Sequence, residues 1–112
     1  MPRSAKPVVA LEDAAPLFAA LGDETRLKLV ARLCAGPGSI TQLTGGASVT
    51  RQAITKHLQI LARAGLVKDV RRGRERIWEF EAGRLAEARL FLDQISRQWD
   101  AALGRLKQFV EE

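Results

Sequence analysis

The sequence predicts a mainly α-helical domain with one small β-hairpin, in the order α-α-α-α-β-β-α, on three observations. Apolar residues recur at helical spacing in five stretches separated by breaks, most of them marked by Gly or Pro. Between Leu66 and Phe80 the pattern changes to two β-rich flanks around Arg71-Arg72-Gly73-Arg74-Glu75. The stretch from Val49 to Val67, VTRQAITKHLQILARAGLV, reads as one short helix with two unlike faces and a stop at each end. A length of 112 residues sets one domain. Residues 1–10, with two prolines and two cations, predict a flexible N-terminal arm. Residues 11–84 form the body, and residues 85–112 a C-terminal helix of the same compact unit.

In chain order, Asp13 can cap a first helix running to about Leu21, with Pro16 in its first turn, where a missing N–H is harmless. Gly22 stops it, and Asp23 caps the second helix, ETRLKLVARLCA. Leu27, Val30, Ala31 and Cys34 are expected along its inner stripe, with Leu29 and Leu33 beside it. Gly36-Pro37-Gly38 ends that helix. Ser39 followed three residues later by Gln42 predicts a capping box for a short third helix whose Ile40 and Leu43 face inward. Gly45-Gly46 breaks the chain before the fourth.

The fourth helix opens on Thr50 as N-cap and closes on Gly65 at the left-handed C′ position. Ala53, Ile54, Leu58 and Leu61 give its apolar stripe. Gln52, Thr55, Lys56 and Gln59 follow an i, i+3, i+4, i+7 row on another side, beside Arg51. No acid lies between Arg51 and Arg63, whereas a solvated helix face ordinarily carries acid–base pairs. Amides, hydroxyls and cations are the groups that read base edges and phosphates. Two helices meeting through a glycine-containing turn outline a helix-turn-helix, with this helix as the recognition element and Thr50, Arg51, Gln52, Thr55, Lys56 and Gln59 as its candidate contacts. The hairpin that follows is then a wing. Its Arg71, Arg72, Arg74 and Arg76 are candidates for phosphate or minor-groove contact.

Charge placement agrees. The formal net charge is +5. Residues 51–84 hold nine Lys/Arg against four Asp/Glu, residues 1–50 five against four, and residues 85–112 four against five. The two ends cancel, so the excess sits in the middle of the chain, as a localised anion-binding face requires.

From Leu85 to Val110 only Gly104 interrupts the helical pattern. Ala88, Leu92, Ile95, Trp99, Ala102, Leu106 and Phe109 are spaced 4, 3, 4, 3, 4, 3, an a/d seam. Leu85, Phe91, Leu103 and Val110 form a second apolar flank. One stripe can cover the first helix, and the other asks for a second surface. The same helix of another copy supplies it most economically, in a two-fold homodimer.

Catalytic chemistry is sparse. Cys34 is the single cysteine and His57 the single histidine, so the chain closes no internal disulfide and offers no tetrahedral zinc set without carboxylates from elsewhere. Cys34 is expected to be a buried apolar residue, and His57 to sit at the edge of the helix-turn-helix or touch a phosphate. No enzyme, metal or cofactor is expected. The first residues are too short and broken for a signal peptide, and no apolar run approaches the roughly 18 residues of a membrane span. These features predict a soluble cytoplasmic protein.

LGDETRLKLVARL at 21–33, the Val49–Val67 stretch and VRRGRERIWEF at 70–80 together resemble the ArsR/SmtB family of winged-helix repressors, over about residues 11–110. The resemblance implies a homodimer joined through first and last helices, with Leu17, Phe18, Leu92, Ile95, Trp99, Leu103 and Leu106 at the interface. It also implies double-stranded operator DNA near the chain's own promoter as partner, and usually release by an effector, which the sequence does not name. Metal-sensing members carry a Cys-x-Cys-type pair in the third helix or His/Asp ligands in the last. Here SITQLTGG has no thiol and residues 85–112 no histidine, so that role does not carry over. The ending WDAALGRLKQFVEE is similar to a metal-independent branch often encoded beside START/SRPBCC proteins. Two rival readings are a winged-helix module that binds protein and an enzyme using Cys34 as nucleophile.

Overall fold

The computed structural model describes residues 9–45 and 49–111. The elements are α1 (Leu11–Leu21), α2 (Glu24–Ala35), β1 (Gly38–Ser39), α3 (Ile40–Thr44), α4 (Arg51–Arg63), β2 (Val67–Arg72), β3 (Glu75–Phe80) and α5 (Ala82–Glu111). This is the expected helical order with its hairpin, plus one short strand. Gly38 and Ser39 pair antiparallel with Trp78 and Ile77, so the sheet has three strands in the order β1-β3-β2. A two-residue strand inside Gly-Pro-Gly-Ser leaves no alternation to read, which is why the sequence shows only a break there. The arm expected at residues 1–10 falls largely outside the described residues, as does Gly46 of the expected Gly45-Gly46 break. Val9 donates its N–H to Gln94 Oε1 at 2.9 Å, which ties the entry of α1 to α5.

Local chemistry sets most helix ends. Asp23 accepts from the Arg26 N–H at 3.0 Å and starts α2. Ser39 and Gln42 form the full capping box of α3. Thr50 Oγ1 accepts from the Ala53 N–H at 3.1 Å and starts α4. At the other end of α4, Gly65 has φ +80°, Leu66 N–H reaches the Leu61 carbonyl and Gly65 N–H the Ala62 carbonyl, a Schellman closure. The first helix departs from expectation. It begins at Leu11 on Ala10, without a side-chain cap, so Asp13 and Glu12 lie within its first turn and Pro16 sits inside the helix.

One core joins these elements. Leu17, Leu58, Leu61 and Leu66 are fully buried, and Leu33, Ile54, Val67 and Trp78 nearly so. On α2 the buried residues are Leu29, Val30 and Leu33, while Leu27, Ala31 and Cys34 are exposed. The inner face is thus rotated from the expected stripe, and Cys34 is a surface thiol instead of a core residue. In α5, Ala88 is buried, and Phe91 meets Phe18 of α1 with ring centroids 5.8 Å apart. Beyond them the seam is open: Leu92, Ile95, Trp99, Leu103, Leu106 and Phe109 are exposed within the single chain. Leu17, assigned above to an interface, is 0% exposed and belongs to the chain's own core. Phe18, half-buried beside it, keeps part of its surface.

Candidate nucleic-acid interface

The core fixes α4 by Ile54, Leu58 and Leu61, and the opposite side carries the expected row. Gln52, Lys56 and Gln59 are exposed. Thr55 is half-buried, and its hydroxyl donates to the Arg51 carbonyl at 2.8 Å, so it presents its methyl group more readily than a hydrogen bond. Arg51 is exposed, and its guanidinium donates to Thr41 Oγ1 on α3 at 3.0 Å, bracing the first turn of α4 against the preceding helix. Thr50 is exposed too, but its hydroxyl is occupied by the cap.

The wing turns at Gly73-Arg74, with Arg72 opposite Glu75. Gly73 has φ +64° and Arg74 does not take a positive φ, the II′ type of two-residue hairpin. All four wing arginines are exposed, yet they are not equivalent. Arg76 donates to Asp69 Oδ2 at 2.6 Å and lies 4.8 Å over the Trp78 ring, so it is held in the sheet. The Arg76 hydrogen bond holds the Asp69 carboxyl below the usual carboxylate range. Arg72 lies 3.6 Å from Glu79, a loose pair. Arg71 and Arg74 form no ion pair among the described residues. A cleft of about 290 Å³ lies where the wing meets α3 and α4, lined by Ser39, Thr41, Arg51, Arg74, Glu75 and Arg76 among others. It brings the first recognition-helix arginine and the wing tip to one place.

Two other cations of the middle stretch face elsewhere. Arg84 Nε donates to the Ala64 carbonyl at 3.2 Å and Nη1 reaches Glu87 at 2.6 Å, closing the C-terminal end of α4. Lys68 pairs with Glu81 at 3.1 Å, which raises its pKa. The excess charge counted in sequence is therefore only partly presented as one face.

His57 points from α4 toward the start of α2. Its Nδ1 lies 3.2 Å from Arg26 Nη1 and 3.8 Å from Asp23 Oδ2. Arg26 and Arg84 are structural braces of α4 that the sequence pattern does not reveal. Their partners at α4, His57 and Ala64, lie 31 and 20 residues away, beyond the reach of any local pattern. Among the described residues no group of three His, Cys, Asp or Glu side chains gathers to hold a metal. No described helix is long and apolar enough to cross a membrane.

Known proteins share this fold. A family described as a helix-turn-helix domain matches residues 21–70. The HTH-type transcriptional regulator Rv2034 of Mycobacterium tuberculosis is 36% identical over 92 residues, covering 82% of this chain and 83% of that protein. An ArsR-like transcriptional regulator from Rhodococcus sp. RHA1 superposes with a TM-score of 0.77 at 37% identity, covering 88% of this chain and 92% of the other. The transcriptional repressor BigR from Xylella fastidiosa shares the fold at 23% identity, with a TM-score of 0.60 over 76% of this chain and 85% of its own. The exposed amide-and-cation row, the arginine wing and these relatives agree: the chain belongs to the ArsR-like helix-turn-helix transcriptional regulators, and it binds DNA.

Proposed function

We propose that the chain is a repressor that binds a palindromic operator as a homodimer and works without a metal sensor. The observation that carries this reading is the exposed acid-free row of α4 beside an arginine wing, on a chain whose last helix leaves an apolar seam uncovered. A two-fold axis along α5 sets two recognition helices against successive major grooves, with half-sites about 34–36 Å apart or a multiple of that. Gln52, Lys56 and Gln59 read base edges, and Arg71, Arg72 and Arg74 neutralise phosphates. Arg51 serves at the edge of both groups. Phe18, Leu92, Ile95, Trp99, Leu103 and Leu106 supply the interface. The metal-independent part of the reading rests on the sequence, in which the third helix, SITQLTGG, carries no thiol and residues 85–112 no histidine. Such a protein acts in the cytoplasm, where its DNA is.

Footprinting on the DNA upstream of the chain's own gene, followed by a salt titration, tests the reading. The expected result is protection of an inverted repeat, with a log–log salt slope of about −0.9 for each phosphate neutralised. Affinity for that repeat no greater than for random duplex would refute it, and would favour a winged-helix module that binds protein through the α5 seam.

A further inference from the structure

The contact between α2 and the recognition helix uses a titratable acceptor. Arg26 spans three elements: Nε donates to the Ala20 carbonyl, Nη2 to the Ala19 carbonyl at 3.4 Å, and Nη1 lies 3.2 Å from His57 Nδ1. The two carbonyls end α1, where a cation is favoured by the helix dipole. Guanidinium groups only donate, so Nδ1 of the imidazole is the acceptor and the ring proton lies on Nε2. Arg26 and His57 are both partly buried. α1 also carries Phe18, which meets Phe91 of α5.

We propose that Arg26 and His57 are positioning residues for DNA binding, a latch that fixes the recognition helix against the end of α1 and that opens when His57 is protonated. The proposal rests on the DNA-binding reading above for its consequence, though the latch itself exists without DNA. A proton taken from solvent onto Nδ1 converts the acceptor into a donor and sets imidazolium against guanidinium. The charged groups facing the ring are Arg26 and the α2 N-cap Asp23, whose Oδ2 is 3.8 Å away. Asp23 also accepts the Arg26 N–H that starts α2. The protonated ring exchanges Arg26 for Asp23, and the guanidinium loses the contact that ties α1 to α4. The recognition helix then keeps its fold, fixed by Ile54, Leu58 and Leu61, but loses its set orientation.

The direction of the effect separates this from simple electrostatics. An added cation beside a DNA-facing helix strengthens phosphate attraction on its own, whereas opening the latch weakens binding. His57 is the single histidine, so its ring signals are unambiguous. The full-length chain is titrated from about pH 8 to about pH 5.5, the range in which imidazoles change charge. The Arg26 Nε signal and the Leu21 amide, next to the Ala20 carbonyl, should follow the His57 curve in free protein. In His57→Asn, whose amide oxygen keeps an acceptor that does not titrate, they should stay flat. Affinity for the footprinted upstream duplex should fall about tenfold on acidification in the natural chain, and by less than about twofold in His57→Asn. Arg26→Lys, which keeps the charge but loses the three-way span, should uncouple the two sites in the same titration and serves if His57→Asn folds poorly. Signals at Arg26 and Leu21 that ignore His57, or affinity that rises on acidification, would overturn the proposal. Absence of any preferred duplex at pH 8 would instead strike the repressor reading, while the free-protein titration still decides the latch.

Discussion

Trp99 offers the sharpest test of the proposed dimer. It lies at the middle of the α5 seam with 64% of its surface open in the single chain. A tryptophan covers about 200 Å² when buried, so roughly 130 Å² per copy is available to a partner. At about 25 cal/mol per Å², that is about 3 kcal/mol per copy, an upper estimate for a rigid interface. Trp99→Ala keeps the Cβ and forfeits about 2–3 kcal/mol per copy. Both copies change in a symmetric dimer, so the total is about 5 kcal/mol, or three to four orders of magnitude in dimer dissociation constant. Trp99→Glu adds two like charges near the two-fold axis and should yield monomers outright. Sedimentation equilibrium over a dilution series measures the first, and operator affinity should fall in parallel because one half-site alone remains per chain. Dimer mass unchanged in Trp99→Glu would show that this face is not the contact.

Other expectations concern the DNA face and its supports. Gln52→Ala and Lys56→Ala should each alter preference at a base pair by about 1–3 kcal/mol, read by competition among operator variants; an equal loss on all sequences would reassign them to phosphates. Arg74→Ala should weaken binding on every sequence alike and reduce the salt slope by about 0.9, with unfolding unchanged. Arg76→Ala should instead loosen the wing, because it removes both the Asp69 partner and the cover of Trp78. The same pair sets an acid limit. Asp69 is held below its usual range in the fold, so its contribution is present above the ordinary carboxylate range and is lost as pH falls through the lowered value. Wing amide protection should therefore decline first below about pH 4, and Arg76→Ala should abolish that step. Gly65→Ala places a side chain at φ +80° with its Cβ 2.8 Å from Arg84 Cγ, so a loss of about 1–2 kcal/mol from the backbone alone is expected in denaturant unfolding.

What was legible in the sequence was what short-range chemistry determines. Thr50, Ser39 with Gln42, Asp23 and Gly65 mark helix ends because a cap needs only its own neighbours, and all four act as expected. The amide-and-cation row of α4 was readable because its apolar opposite, Ile54, Leu58 and Leu61, leaves one face for solvent. The face of α2 was not, because ETRLKLVARLCA has apolar residues on two overlapping stripes. Burial chose Leu29, Val30 and Leu33 once α4 and the sheet were packed against it. That choice turned Cys34 outward. The start of α1 at Leu11, without a side-chain cap, is set by tertiary contact and so carries no local mark. Arg26 and Arg84 read as ordinary surface cations until the chain brings Ala20, His57 and Ala64 to them.

The length of α5 has a consequence for folding itself. From Trp99 onward every described residue except Ala102 is exposed, so the last turns of a 30-residue helix have almost no tertiary support within their own chain. A helical segment of about a dozen residues is marginal in water when nothing packs on it, and Gly104 weakens this one further. Its order is therefore set by what covers it. If copies pair through α5 as proposed, helical content becomes a function of protein concentration, rising as copies meet and fraying from Glu111 inward on dilution; circular dichroism of the natural chain, with neither DNA nor a substitution, reads that coupling directly, and helicity that ignores concentration would contradict the proposed dimer.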